Sequence, residues 1–210
     1  MRYRLPTPFP SPALRDAVRE ASIASPLGRS VARTFGLVAI GERPAGVEQF
    51  TIADGRLTRS ALGEAWDPAR LLDALRAEGL VVLTLPVRIV DVLVAVAPDE
   101  RRARRVGQLL AKHWEGRASS SDEMRLGALL GYPRSGCEAY VGRRPRASGR
   151  DVMARLSLED RRFAVGVVAN DERSIADAVA TFTRFGRSFR EAFGDFDADR
   201  VWDALLSVST

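Results

Sequence analysis

Apolar residues recur at helical spacing along most of this chain and at strand spacing in a few short runs. Ser11-Pro12 sets an N-cap residue before a proline suited to the first helical position, and Leu14, Val18 and Ile23 follow as an apolar stripe to about Ala24. Ser25-Pro26 repeats the signal, with Leu27, Val31 and Phe35 on one face until Gly36, which reads as the helix end. Residues 37–40 then read as a short β-rich run. Residues 47–52 and 56–62, joined through Asp54-Gly55, predict a hairpin, because Asp-Gly suits a tight two-residue turn. Asp67-Pro68 opens a helix carrying Leu71, Leu72 and Leu75, closed at Gly79. Residues 81–85 and 87–96, rich in Val and Leu, are the clearest strands, with Pro86 expected to separate them.

Pro98-Asp99-Glu100 starts the most regular helix, with Val106, Leu109, Leu110 and Trp114 on one stripe and Arg101, Arg105, Gln108 and Lys112 on another. Ser120 and Glu123 have the spacing of a capping box for a helix over 122–130. Gly131-Tyr132-Pro133 breaks that helix, and a short one follows to about Val141. Residues 142–149 read as a basic loop, 157–160 as a cap or turn, and 163–168 as a strand. Asn170-Asp171 opens a long helix through Ile175, Val179, Phe182 and Phe185, and a last helix is expected over about 197–206. The order implies an α/β or α+β fold: a single domain over residues 11–210, its small mixed sheet covered by helices, behind an extended proline-containing arm of residues 1–10.

Composition narrows the setting. With 210 residues, 46% apolar and 28% charged, the chain can bury a core of its own. No apolar run approaches the roughly 20 residues of a membrane-spanning helix, and the charged start with no apolar stretch behind it argues against a signal peptide. Cys137 is the only cysteine, so an internal disulfide is impossible and a reducing, cytoplasmic setting is expected. The net charge of +5 is unevenly placed. Residues 1–100 hold 12 basic and 12 acidic side chains, residues 101–162 hold 15 and 7, and residues 163–210 hold 5 and 8. The positive field is therefore local to the middle of the chain. All but one of the basic residues are arginine throughout, which points to a composition bias as much as to a site.

Chemistry is sparse. One histidine and one cysteine cannot build a structural zinc site, and no metal or other cofactor is expected. The alternating Asp195, Asp197 and Asp199 read as a solvated turn capping the final helix. Phosphate-binding glycine loops and a nucleophile elbow are missing. Two catalytic candidates remain. His113 lies on or beside an apolar stripe, where packing is the commoner role. Cys137 lies near the start of a short helix close to Arg134, a setting that could lower a thiol pKa, although a lone cysteine is more often a small buried apolar residue. The binding candidates are Tyr132 together with Arg134, Arg143, Arg144, Arg146 and Arg150, and the guanidinium forks of the arginines suit phosphate oxygens.

The segment Leu126-Gly127-Ala128-Leu129-Leu130-Gly131-Tyr132-Pro133-Arg134-Ser135-Gly136-Cys137-Glu138-Ala139-Tyr140 resembles one from a prokaryotic family of unknown function, in which Leu-Gly-Tyr-Pro, one residue and a Cys-Cys pair precede an aromatic. Here Ser135 and Gly136 stand where the pair would be, and the resemblance implies no particular activity. Physically the segment is a sharp corner: Gly131 can end a helix, Tyr132 before proline is extended, and Pro133 suits a new helix start. Three functions stay open: a binding or accessory protein with an anionic-ligand or nucleic-acid surface within 101–150, a small enzyme using Cys137 near Tyr132, and an oligomerising scaffold.

Overall fold

The computed structural model describes residues 9–53, 55–61, 64–87, 91–142, 149–164 and 169–194. Among them the elements run α1 (Pro12–Ala24), α2 (Pro26–Ala39), β1 (Gly46–Ala53), β2 (Arg56–Ala61), β3 (Glu64–Trp66), α3 (Ala69–Ala77), β4 (Val81–Pro86), β5 (Asp91–Ala97), α4 (Glu100–Trp114), α5 (Ser120–Leu129), α6 (Arg134–Val141), α7 (Gly149–Arg155), α8 (Leu158–Arg161) and α9 (Glu172–Phe193). No helix among the described residues is long and apolar enough to cross a membrane.

The strands form one sheet in the order β3-β2-β1-β5-β4, and every pairing is antiparallel. Of the two expected classes the fold is thus α+β, its helix-covered sheet antiparallel rather than mixed. Strand β5 is its keystone. Successive side chains of a strand point to opposite faces, and both faces of β5 are covered. Val92, Val94 and Val96 join a core with α1, α2, α3 and α9, whereas Leu93, Ala95 and Ala97 join a second core with α4 and Leu126 of α5. That double burial explains an apolar run without polar alternation.

Local chemistry sets most element ends as expected. Ser11 and Ser25 accept hydrogen bonds from the N–H groups of Leu14 and Gly28, each ahead of a proline at the first helical position. The hairpin of β1 and β2 closes at Ala53 opposite Arg56, with Gly55 at φ +73°. Two strands do lie either side of the Pro86 region, but Pro86 is itself the last residue of β4, opposite Val92, and β5 starts only at Asp91. Val87 N–H bonds Asp91 C=O across the connection. By the antiparallel alternation, residues 81, 83 and 85 then bond to β5 while 82, 84 and 86 face away. The N–H that proline lacks falls on the outer side of β4, which pairs with no strand among the described residues.

Other expectations are corrected. The capping box of α5 is Ser119 with Asp122, one residue ahead of the expected pair. Strand β3 and helix α7 carried no sequence signal that marked them. Phe163 and Ala164 follow α8 in a turn rather than starting a strand. Residues 165–168, most of the N-terminal arm and the expected last helix lie outside the described residues.

The largest correction concerns Gly36. Helix α2 continues through it to Ala39, so residues 37–40 are not a strand. A Cβ at Gly36 would lie 2.7 Å from the ring of Phe189 and 3.2 Å from that of Phe193. The glycine marks a crossing of α2 with α9, not an end. Helix α9 lays Phe182, Phe185, Phe189 and Phe193 along one buried stripe at spacings of three and four residues. Each such ring contributes roughly 1.5–3 kcal/mol by burial. Gly36→Ala is expected to destabilise the fold by about 1–2 kcal/mol, because overpacking exceeds the gain in helix propensity. Urea denaturation of that variant, alone and combined with Phe189→Leu, measures this; a more stable single variant would refute the crossing.

Candidate functional site

The corner between α5 and α6 builds the site. Gly131 adopts φ +79°, and the N–H groups of Gly131 and Tyr132 bond back to Ala128 and Gly127 C=O, closing α5. Pro133 then stands extended, at φ −62° and ψ 145°, ahead of α6. Space demands the glycine as well: its missing Cβ would lie 3.0 Å from Arg43 Cγ and 3.2 Å from Phe185 Cζ. The corner swings Tyr132 inward, where its ring meets Phe182 edge-on with centroids 6.4 Å apart.

Arg43 lies behind this corner and is buried, its guanidinium 5.2 Å from the Phe185 ring centroid. Burial pushes its pKa below the ordinary arginine value, opposed by the nearby Tyr132 hydroxyl and the Glu48 carboxylate. Burial likewise pushes the Tyr132 hydroxyl up, and the Arg43 charge acts against it. Tyr132 therefore stays a neutral phenol at physiological pH.

In front of the corner, α4, α5, α6 and α9 leave a pocket of about 250 Å³. Leu110, Leu126, Leu130, Pro133, Ala178 and Phe182 line it, along with Tyr132, Cys137 and Tyr140. His113 and Glu123 are a hydrogen-bonded pair on its wall: His113 Nδ1 and Glu123 Oε1 are 2.7 Å apart. A carboxylate only accepts hydrogen bonds, so against an ionised Glu123 it is Nδ1 that donates. That leaves Nε2 as an acceptor whenever the ring is neutral. The Tyr140 ring stands beside the imidazole, with centroids 6.3 Å apart.

Three expected site residues thus converge: His113, Tyr132 and Cys137 line one cavity. The arginines do not join them. Arg134 is exposed and bonds Glu138 at 2.7 Å, one turn along its own helix. Arg150 is exposed at the start of α7. Arg143, Arg144 and Arg146 lie outside the described residues, as do Asp195, Asp197 and Asp199. Four basic residues of α4 face carboxylates: Arg102 with Asp99 at 3.1 Å, Arg104 with Glu100 at 2.6 Å, and Arg105 and Lys112 with Asp122 at 3.7 and 3.4 Å. Glu123 was legible only as a capping residue, because its histidine lies ten positions away on another helix. Among the described residues no three His, Cys, Asp or Glu side chains gather as a metal site.

Cys137 departs from the activated thiol that a helix start and a nearby arginine would make. Its side chain is buried and packs where Gly127 lacks a Cβ. Desolvation raises its pKa above the usual thiol value, and the Glu138 carboxylate pushes it the same way. Compared with protein-family models, with curated proteins and with solved structures, the chain matches none.

A raised pKa lowers the thiolate fraction, and burial limits access. Alkylation of Cys137 at neutral pH is therefore expected to run more than about tenfold slower in the folded chain than in urea. Iodoacetamide labelling followed by mass spectrometry gives the ratio, and equal rates would contradict the packed thiol.

Proposed function

We propose that the chain is a small-molecule-binding protein whose pocket takes a compact, largely apolar ligand bearing one hydroxyl or N–H group. The carrying observation is the pairing of aliphatic and aromatic walls with a single imidazole–carboxylate pair, His113 and Glu123. Such a lining, mostly apolar with few placed polar groups, is the usual make-up of a ligand site. An apolar cavity of roughly 150 Å³ holds a benzene ring, so a substituted ring fits the larger volume here. The walls supply affinity by desolvation, and the His113–Glu123 pair supplies the polar contact that favours a donor-bearing ligand over its plain hydrocarbon analogue.

Two other readings have less support. An anionic or nucleic-acid surface within 101–150 would draw on arginines of which Arg102, Arg104, Arg105 and Arg134 each already face a carboxylate. An enzyme using Cys137 would need a thiolate that burial disfavours.

A phenol is the simplest probe. p-Cresol at saturating concentration is expected to raise the melting temperature, since a ligand that binds only the folded state stabilises it by mass action. Toluene, the same shape without the hydroxyl, should bind about three- to tenfold more weakly, the worth of one net hydrogen bond. Leu110→Trp, which fills the pocket from a partly exposed position, should remove both effects, while His113→Phe should remove only the difference between the ligands. Absence of protection by either compound, or protection undiminished in Leu110→Trp, would exclude this pocket.

A further inference from the structure

The two sheet edges are unequal. Strand β3 is three residues long and starts with Glu64. Strand β4 is six residues long, and residues 79–87 contain no charged side chain. Folded chains commonly protect an edge with charge, a bulge or a covering helix. Here the outward-facing N–H and C=O groups of Val82 and Thr84 take no hydrogen bond among the described residues. None of the β4 side chains is fully buried: Val81, Leu83 and Leu85 are half-covered by α4, and Thr84 is exposed. Their β5 neighbours from Val92 to Ala97 are all buried.

The edge is also self-complementary. A two-fold axis at Leu83 places Val82 opposite Thr84 of a second copy and Thr84 opposite its Val82. Those residues present both backbone groups outward, as a hydrogen-bonded antiparallel pair requires. Leu83 then faces its own equivalent in a non-hydrogen-bonded pair, on the α4 side of the sheet. Pro86, which has no N–H to offer, falls opposite Leu80 and ends the ladder.

Charge agrees with this register. Helix α4 packs on β4 and β5 and has no room for a Cβ at Gly107 against Leu85. Glu100, Arg104 and Ala111 follow Gly107 round the helix on one flank. The axis sets that flank antiparallel to its equivalent, so Glu100 and Arg104 of one copy meet Arg104 and Glu100 of the other. Both are exposed and already paired with each other at 2.6 Å, and they can be exchanged between copies.

We propose that β4 is a homodimerisation edge: two copies join β4 to β4 about Leu83 into one continuous antiparallel ten-stranded sheet. The contact is isologous and closes on itself, leaving only the short β3 edges at the ends.

Sedimentation equilibrium of the full chain at micromolar concentration is expected to give twice the 23.0 kDa chain mass. Thr84→Pro removes an outward N–H without touching the β4–β5 bonds, and should weaken the dimer by at least about tenfold while leaving the circular dichroism unchanged. Cross-linking tests the register even if that variant folds poorly. In a Cys137→Ala background, Leu83→Cys should oxidise to a covalent dimer, because non-hydrogen-bonded partners lie roughly 4.5 Å apart at Cα, within disulfide reach. Thr84→Cys should not, since its own equivalent is two positions out of register. A monomer at all concentrations, a dimer indifferent to Thr84→Pro, or cross-linking through residue 84 and not 83 would overturn the proposal.

Discussion

Several close approaches between elements in this chain fall on glycines in helix interiors, where no side chain stands in the way. Gly36 lets α2 meet the Phe189 ring, Gly127 lets α5 meet the Cys137 thiol, and Gly107 lets α4 settle onto Leu85. Gly186, midway along α9, admits the Asp160 carboxylate, which Arg190 then bonds at 3.0 Å. Each glycine costs about 1 kcal/mol of helix propensity relative to alanine. The compensation is tertiary: rings and aliphatic chains reach packing distances that a methyl group would forbid. The crossings set where α9 lies across the sheet's helical layer and how tightly α5 and α6 close, and so they set the pocket's shape.

The pocket follows from that arrangement. Close packing of α5 on α6 uses the cysteine as a filler, which is why the thiol is desolvated rather than activated. The corner at Gly131 is held from behind by Arg43, whose charge is accommodated by an aromatic face, a phenol and a carboxylate rather than by solvent. Tyr132 thus links a buried cation on one side to an apolar cavity on the other. His113 and Glu123 bring a hydrogen-bonded imidazole and carboxylate to the cavity, from the end of α4 and the start of α5.

Much of this was readable along the chain because it depends on neighbours a few residues apart. Serine and aspartate caps, prolines at helix starts, the Asp-Gly turn, the apolar stripes of α4 and α9, and the run that becomes β5 all act over one or two turns. The Gly131-Tyr132-Pro133 corner belongs with them: backbone conformation alone requires it. The same local rules misread Gly36 as a stop. A glycine needed for an approaching ring looks, in sequence, like punctuation.

Residue order by itself therefore determined the α+β or α/β character, most helix starts, the corner, and the shortage of reactive side chains. Only the tertiary structure decided that the sheet is antiparallel, that Arg105 of α4 faces Asp122 of α5, that Cys137 is packed, and that His113 finds Glu123 beside an apolar hollow. Those outcomes depend on distances between segments far apart in the chain. Such distances are set by side-chain volume at helix crossings, a quantity that no periodicity encodes.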